Sequence, residues 1–162
     1  MPYDVRAVAN LILDRSEKAG IAVSNFTVNK IAFFLHAWYL AATGKPLVNA
    51  KTEAWDHGPV FRELYSEFKQ FGREPITTRA TKRNPATAQK ETCIGQFDVK
   101  DLDLLEPLLD KYLGMSVSKL YELSHARGGP WDQVYNHGGE SNPGMHISDD
   151  VIRAWFNKET RH

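Results

Sequence analysis

Between Phe26 and Gly44 the chain reads Phe-Thr-Val-Asn-Lys-Ile-Ala-Phe-Phe-Leu-His-Ala-Trp-Tyr-Leu-Ala-Ala-Thr-Gly, and no other stretch restricts the fold so strongly. Val28, Ile31, Leu35 and Trp38 recur at helical spacing, while Phe33, Phe34, Ala37, Tyr39, Leu40 and Ala41 cover most of the remaining circumference. A helix that is apolar on all sides has to be surrounded by other elements. At about sixteen residues between its caps, and interrupted by Lys30 and His36, it falls short of the roughly 20 apolar residues that a bilayer span needs. The expected fold is mainly α, a single compact domain of about six to seven helices around a central buried helix over 27–43. Thr27 is placed to cap that helix, with Phe26 and Ile31 as a hydrophobic staple, and Gly44 followed by Pro46 ends it.

The length of 162 residues suits one domain over 1–162, large enough to bury a core without disulfides or metal. Twenty basic residues balance twenty acidic ones, so no overall charge draws the chain to nucleic acid or to an anionic membrane. A lone cysteine, Cys93, rules out an internal disulfide and any zinc site built from several cysteines. No signal-type segment stands ahead of the first expected helix, and a cytoplasmic location is expected.

Along the chain, Asp4 caps a first helix with Val5, Val8, Ala9 and Ile12 on one face and Gly20 beyond its end. Alternation around Val48, Ala50 and Thr52 suggests a short strand or extended segment near 47–56. Gly58-Pro59 suits the cap and first position of a third helix carrying Phe61, Leu64, Tyr65, Phe68 and Phe71. Periodicity then lapses over 74–96, where a solvated loop or loose hairpin is expected. A fourth helix starts near Asp103, or kinks at Pro107. Ser116 caps a fifth, with Val117, Leu120 and Leu123 facing inward. Pro130-Trp131 begins a short helix after the paired glycines 128 and 129. Residues 137–143 read as a loop, Ser148 caps a last helix, and the tail 157–162 is expected to fray.

Chemistry is harder to find. Six histidines invite a search for a metal or acid–base site, yet there is no His-Glu-x-x-His, no Cys/His pair at zinc spacing, no nucleophile elbow and no phosphate loop. A hydrolase or metal site would need Asp56 and His57 to meet His125, Asp132 or His137 in space. His36, His57 and His125 each need a hydrogen-bond partner in any case, because an unpaired buried polar group costs about 1 to 3 kcal/mol. Trp55 and Trp131, each beside a Gly-Pro pair, have enough apolar area to serve the core. Arg79, Lys82, Arg83 and Lys90 form a basic stretch without interleaved aromatics, a weak nucleic-acid signal and a possible partner-binding segment. No catalytic residue, metal ligand or cofactor is assigned.

Taken together, several blocks resemble the Panacea domain, the SocA-like antitoxin family that also includes phage-associated GepA-type proteins. They are Asn29 to Leu40 with Gly44-Lys45-Pro46-Leu47, Glu53 to Val60 with Leu64-Tyr65 and Phe68, Leu123-Ser124-His125, Gly129-Pro130-Trp131, and Ile147-Ser148. The order and spacing of the motifs around Gly58-Pro59 and Pro130-Trp131 carry the likeness. It implies a prokaryotic protein, often borne on phages or mobile elements, that acts as the antitoxin of a toxin–antitoxin pair. The implied partners are a cognate protein toxin encoded nearby and a protease or chaperone that receives it; membrane and nucleic acid are not implied. The motif residues singled out are Lys30, His36, Trp55, Asp56, His57, Gly58, Pro59, His125, Pro130 and Trp131. His36 is the residue of this helix to watch: if it meets His57 or His125 across the core, a polar network joins the two motifs through the helix.

Overall fold

In the computed structural model, which describes residues 1–136 and 145–158, seven helices accompany a three-stranded and a two-stranded sheet. In order these are α1 (Val5–Ala19), α2 (Asn25–Thr43), β1 (Thr52–Trp55), β2 (Gly58–Phe61), α3 (Arg62–Phe68) with a 3-10 turn (Lys69–Phe71), β3 (Thr81–Arg83), β4 (Lys90–Thr92), α4 (Val99–Leu113), α5 (Val117–Ser124), α6 (Pro130–Tyr135), β5 (His146–Ile147) and α7 (Asp149–Asn157). The loop expected over 137–143, with His137, and the last four residues of the tail lie outside the described residues.

Helix α2 packs against α1, α3, α4, α5, α7 and β2, and its Val28, Ile31, Phe34, Leu35 and Ala37 are fully buried. Its cap is Ser24, whose hydroxyl accepts from the Thr27 amide at 3.4 Å, and not Thr27 as the spacing predicts. Phe26 therefore lies inside the first turn and cannot staple from outside the helix. At the other end Gly44 takes the left-handed conformation, with φ of 74°. Asp4, Ser116 and Ser148 cap α1, α5 and α7 as their sequences predict.

The largest departure concerns Gly58-Pro59, which does not open a helix. Residues 52–61 form an antiparallel hairpin, β1 paired with β2, turning at Asp56-His57, and β5 adds to the other side of β1 in the order β2-β1-β5. Proline is tolerated because β2 is an edge strand, where a missing donor breaks no ladder bond. Helix α3 starts only at Arg62, after the strand, so Phe61 reaches the core from β2.

A second hairpin, β3–β4, occupies part of 74–96. It is fixed to α1 by buried Asn10, whose amide donates to the carbonyls of Ala80 (3.0 Å) and Cys93 (2.8 Å) and accepts from the Ala80 N–H (2.7 Å). Helix α4 begins at Val99, earlier than Asp103, and continues through Pro107. Pro107 and Asp103 both face solvent, so the carbonyl left without its helical donor can bond water. Val117 is a further correction: it is 58% exposed and does not face inward, whereas Leu120 is buried.

Candidate functional site

The β1–β2 hairpin is where the sequence motifs meet. Its outer edge lies against α2, the most apolar helix, and a strand edge presents carbonyls and N–H groups that need partners. Two successive α2 side chains supply them. Lys30 Nζ donates to the Pro59 carbonyl at 2.8 Å, and Asn29 Oδ1 accepts from the Phe61 N–H at 2.9 Å. Residues 59 and 61 share one edge of the strand, so α2 completes the hydrogen bonding that a further strand would have provided. This explains why an asparagine and a lysine sit buried in a greasy helix.

Lys30 is fully buried and has no carboxylate partner among the described residues. The Phe26 ring lies 4.6 Å from its ammonium and offers a cation–π contact. Burial pulls its pKa down from 10.5 to about 7. Gly58 has φ of +109°, and a Cβ there would come within 2.9 Å of Lys30 Cε, 3.0 Å of His125 Cε1 and 3.1 Å of Ser124 Oγ. Glycine lets α2 and α5 close on the hairpin at this point.

From the far side α5 and α6 hold the turn. Trp131 Nε1 donates to the Trp55 carbonyl at 2.7 Å, and the Tyr135 hydroxyl donates to the Asp56 carboxylate. His125 Nδ1 lies 2.7 Å from the Tyr121 carbonyl, to which Ser124 also donates, and its Nε2 lies 3.4 Å from the Asp56 carbonyl. Burial lowers the His125 pKa against these carbonyls. A carbonyl thus lies beside each ring nitrogen, and a neutral imidazole can donate to only one of the two. His125 stacks on Tyr121 (3.8 Å between centroids) and meets Trp131 at a tilt of 56° (4.2 Å), and Trp131 in turn stacks on Tyr135.

His36 does not bridge the motifs. Its Nε2 lies 2.9 Å from Asp149 Oδ1, which ties α2 to the first turn of α7, and its Nδ1 has no hydrogen-bond partner among the described residues. The bridge is Lys30, which touches the Pro59 carbonyl and lies behind Gly58 with His125. Asp132, the other carboxylate considered for a site, accepts from the Gly128 N–H and from Asn136 within its own helix start. Among the described residues no three His, Cys, Asp or Glu side chains are grouped to hold a metal ion. Cys93 is buried, and burial raises its pKa, which opposes thiolate formation. In the basic stretch, Arg79 pairs with Asp14 and Glu17 of α1 and Arg83 donates to the Ala88 carbonyl, so two of its four cations are engaged internally. Lys82 and Lys90 lie on β3 and β4, with Lys82 opposite Glu91.

Beside the hairpin a groove of about 540 Å³ opens between the start of α2, the turn after α3, and α5. Trp55 and His57 form one side, Phe26, Val117 and Tyr121 the other, and Tyr65, Lys69 and Arg73 complete it. Trp55 is half-buried, stands edge-on to Tyr65 at 4.9 Å and donates to Glu53, which is held by two bonds from Arg62. Sequence reasoning names Trp55 and His57 here but misses Phe26, Val117 and Tyr121. The signal was present in α5, where apolar residues at 117, 120, 121 and 123 form a stripe too wide for one buried face.

No described helix is long and apolar enough to cross a membrane. No solved structure matches the chain. A family profile described as "Antitoxin SocA-like, Panacea domain" matches residues 28–132, which span the hairpin, α5 and the start of α6. A curated relative, "Antitoxin SocA" of Caulobacter vibrioides (strain NA1000 / CB15N), is 37% identical over 154 residues, covering 94% of this chain and 82% of the relative. The chain belongs to the SocA-like antitoxin family, with its Panacea domain built around the α2-edged hairpin.

Proposed function

We propose that this chain is a non-enzymatic antitoxin that neutralises a cognate protein toxin, encoded by a neighbouring gene, by direct protein–protein contact. Family membership supports an antitoxin role and hence a toxin as partner. The observation that carries the contact mechanism is how the motif side chains are used. Lys30, His125, Trp131 and Asp56 are each committed to bonds that hold the hairpin, while the aromatic groove beside them stays open. Such a site offers shape and apolar surface in place of a reacting group. A stable interface buries about 1,200 to 2,000 Å², more than the groove supplies, so exposed parts of α3 beside it contribute as well. Delivery of the bound toxin to a protease or chaperone is a second step of the same proposal.

Expressing the neighbouring gene with and without this chain tests it. The expected result is growth arrest with the neighbour alone, rescue on co-expression, and co-purification of the two proteins. Persisting toxicity in the presence of abundant, folded chain, or a harmless neighbour, would overturn the reading. A toxin half-life that shortens when the chain is present supports delivery to a protease; an unchanged half-life removes that step.

A further inference from the structure

The groove has a definite chemical character. Of the seven large apolar side chains that stand exposed among the described residues, three converge on it: Tyr65, Val117 and Tyr121. Large aromatic groups left in water at one place are the usual anchors of a partner's side chain. The charges around the groove are one-sided as well. Lys69 and Arg73 line it, no carboxylate among the described residues does, and neither cation makes an ion pair among them. Elsewhere on the surface several long cations are matched, Arg15 with Asp110, Arg62 with Glu53, Arg79 with Asp14 and Glu17, and Lys119 with Glu122, while others such as Lys82 and Lys90 make no ion pair among the described residues and lie away from any aromatic groove lining. At the hairpin tip the Asp56 carboxylate already receives the Tyr135 hydroxyl, and Glu53 on β1 receives Arg62 and the Trp55 indole.

We infer that the groove receives an acidic segment of the toxin, with a bulky apolar or aromatic side chain seated against Phe26, Tyr65 and Tyr121 and flanking carboxylates meeting Lys69 and Arg73. This rests on the antitoxin reading, since it names the chemistry of that partner's contact. The hydrophobic anchor supplies the affinity, and the cationic rim selects among partners and sets the orientation. A basic toxin surface would meet like charge at the rim and be excluded. The basic 79–90 stretch does not offer an equivalent site, because Arg79 and Arg83 are already occupied within the chain and no aromatic residue stands beside Lys82 and Lys90 in that stretch to seat an apolar anchor.

Random peptides displayed on phage are selected on the purified full-length chain, and the winners are made as labelled synthetic peptides for affinity measurements. Two variants with exposed replacements keep the fold testable: the double variant Lys69→Glu/Arg73→Glu, and Val117→Asp at the first position of α5, where a carboxylate suits the helix start. The expected outcome is enrichment of an aromatic or large aliphatic residue next to Asp or Glu, affinity that falls with added salt, and a loss of about tenfold or more in each variant. Peptides without acidic enrichment, or affinities unchanged in both variants, would overturn the inference. So would sedimentation showing a dimer that the same variants abolish, which would assign the groove to a second copy of this chain. Toxin rescue separates this test from the broader reading. If the double variant neutralises and binds the toxin as well as the unaltered chain does, the groove assignment falls and the antitoxin reading stands; if the neighbouring gene is harmless while acidic peptides still bind the groove, the reverse holds.

Discussion

The two hairpins make an instructive pair. Both are short antiparallel turns, but β1–β2 sits with one edge against α2 and its tip under α5 and α6, whereas β3–β4 lies on the surface, held at its base by Asn10 and Arg79. In the first, the Pro59 carbonyl and the Phe61 N–H on the edge facing α2 are answered by buried Lys30 and Asn29. In the second, solvent can answer most of the open backbone groups. The difference predicts that equal local disturbances will have unequal global effects, because only the first hairpin joins several helices at one point.

Gly58→Ala should show the largest effect. It forces a side chain onto a backbone at φ of +109° and brings a Cβ to 2.9 Å from Lys30 Cε. Relief requires Lys30, Ser124 and His125 to move together, so a loss of about 3 kcal/mol or more is expected in urea unfolding. A near-neutral result would mean that the hairpin can shift away from α2, and the proposed distinction between the hairpins would fail.

Lys30→Met probes the same edge with a smaller effect that depends on pH. The folded-state pKa of Lys30, about 7, lies below its ordinary 10.5, so between these values the unfolded chain binds more protons than the folded one. The Lys30 contribution to stability is therefore fully present above about 10.5 and is lost as pH falls through 7. Within that window the slope approaches about 1.4 kcal/mol per pH unit as an upper bound. The stability advantage of the unaltered chain over Lys30→Met should grow from pH 7 to pH 10, measured by denaturant titration at each pH. A flat difference would show that the ammonium finds a solvated or paired environment on folding.

How much of this could be read from the chain depends on whether the causes are local. The core face of α1, the caps Asp4, Ser116 and Ser148, and the Gly44 stop follow from short-range rules, and the structure has them. Gly58-Pro59 misled because a Gly-Pro pair fits two local settings, a helix start and an edge strand. What decides between them is the presence of Asn29 and Lys30 across the core, about thirty positions earlier, and local rules do not see that. His36 and Lys30 pose the same difficulty. Both interrupt an apolar helix, and only the packing of β2 and α7 reveals which one reaches the hairpin. The groove was the least legible feature, since it is assembled from α2, the turn after α3, and α5, and although the apolar stripe of α5 is too wide for one buried face, nothing local says which of its residues, here Val117 and Tyr121, stay exposed.

The smallest effect belongs to the second hairpin, at its own residue of positive φ. Ala88 has φ of 59° in the 84–89 turn, where its N–H bonds the Asn84 carbonyl at 2.8 Å and its carbonyl receives Arg83. A side chain in this left-handed conformation costs about 1 to 2 kcal/mol. Ala88→Gly removes that strain and adds about 0.5 to 1 kcal/mol of unfolded-state entropy, which acts the other way. The balance predicts a gain of about 0.5 kcal/mol, readable as a small rise in the urea midpoint with an unchanged slope. Toxin neutralisation should be unaltered, since the position is remote from the groove lining. A loss of stability would show that the turn relaxes around Ala88 without strain, and a loss of neutralisation would move part of the interface onto β3–β4, shrinking the contrast between the hairpins to one of stability alone.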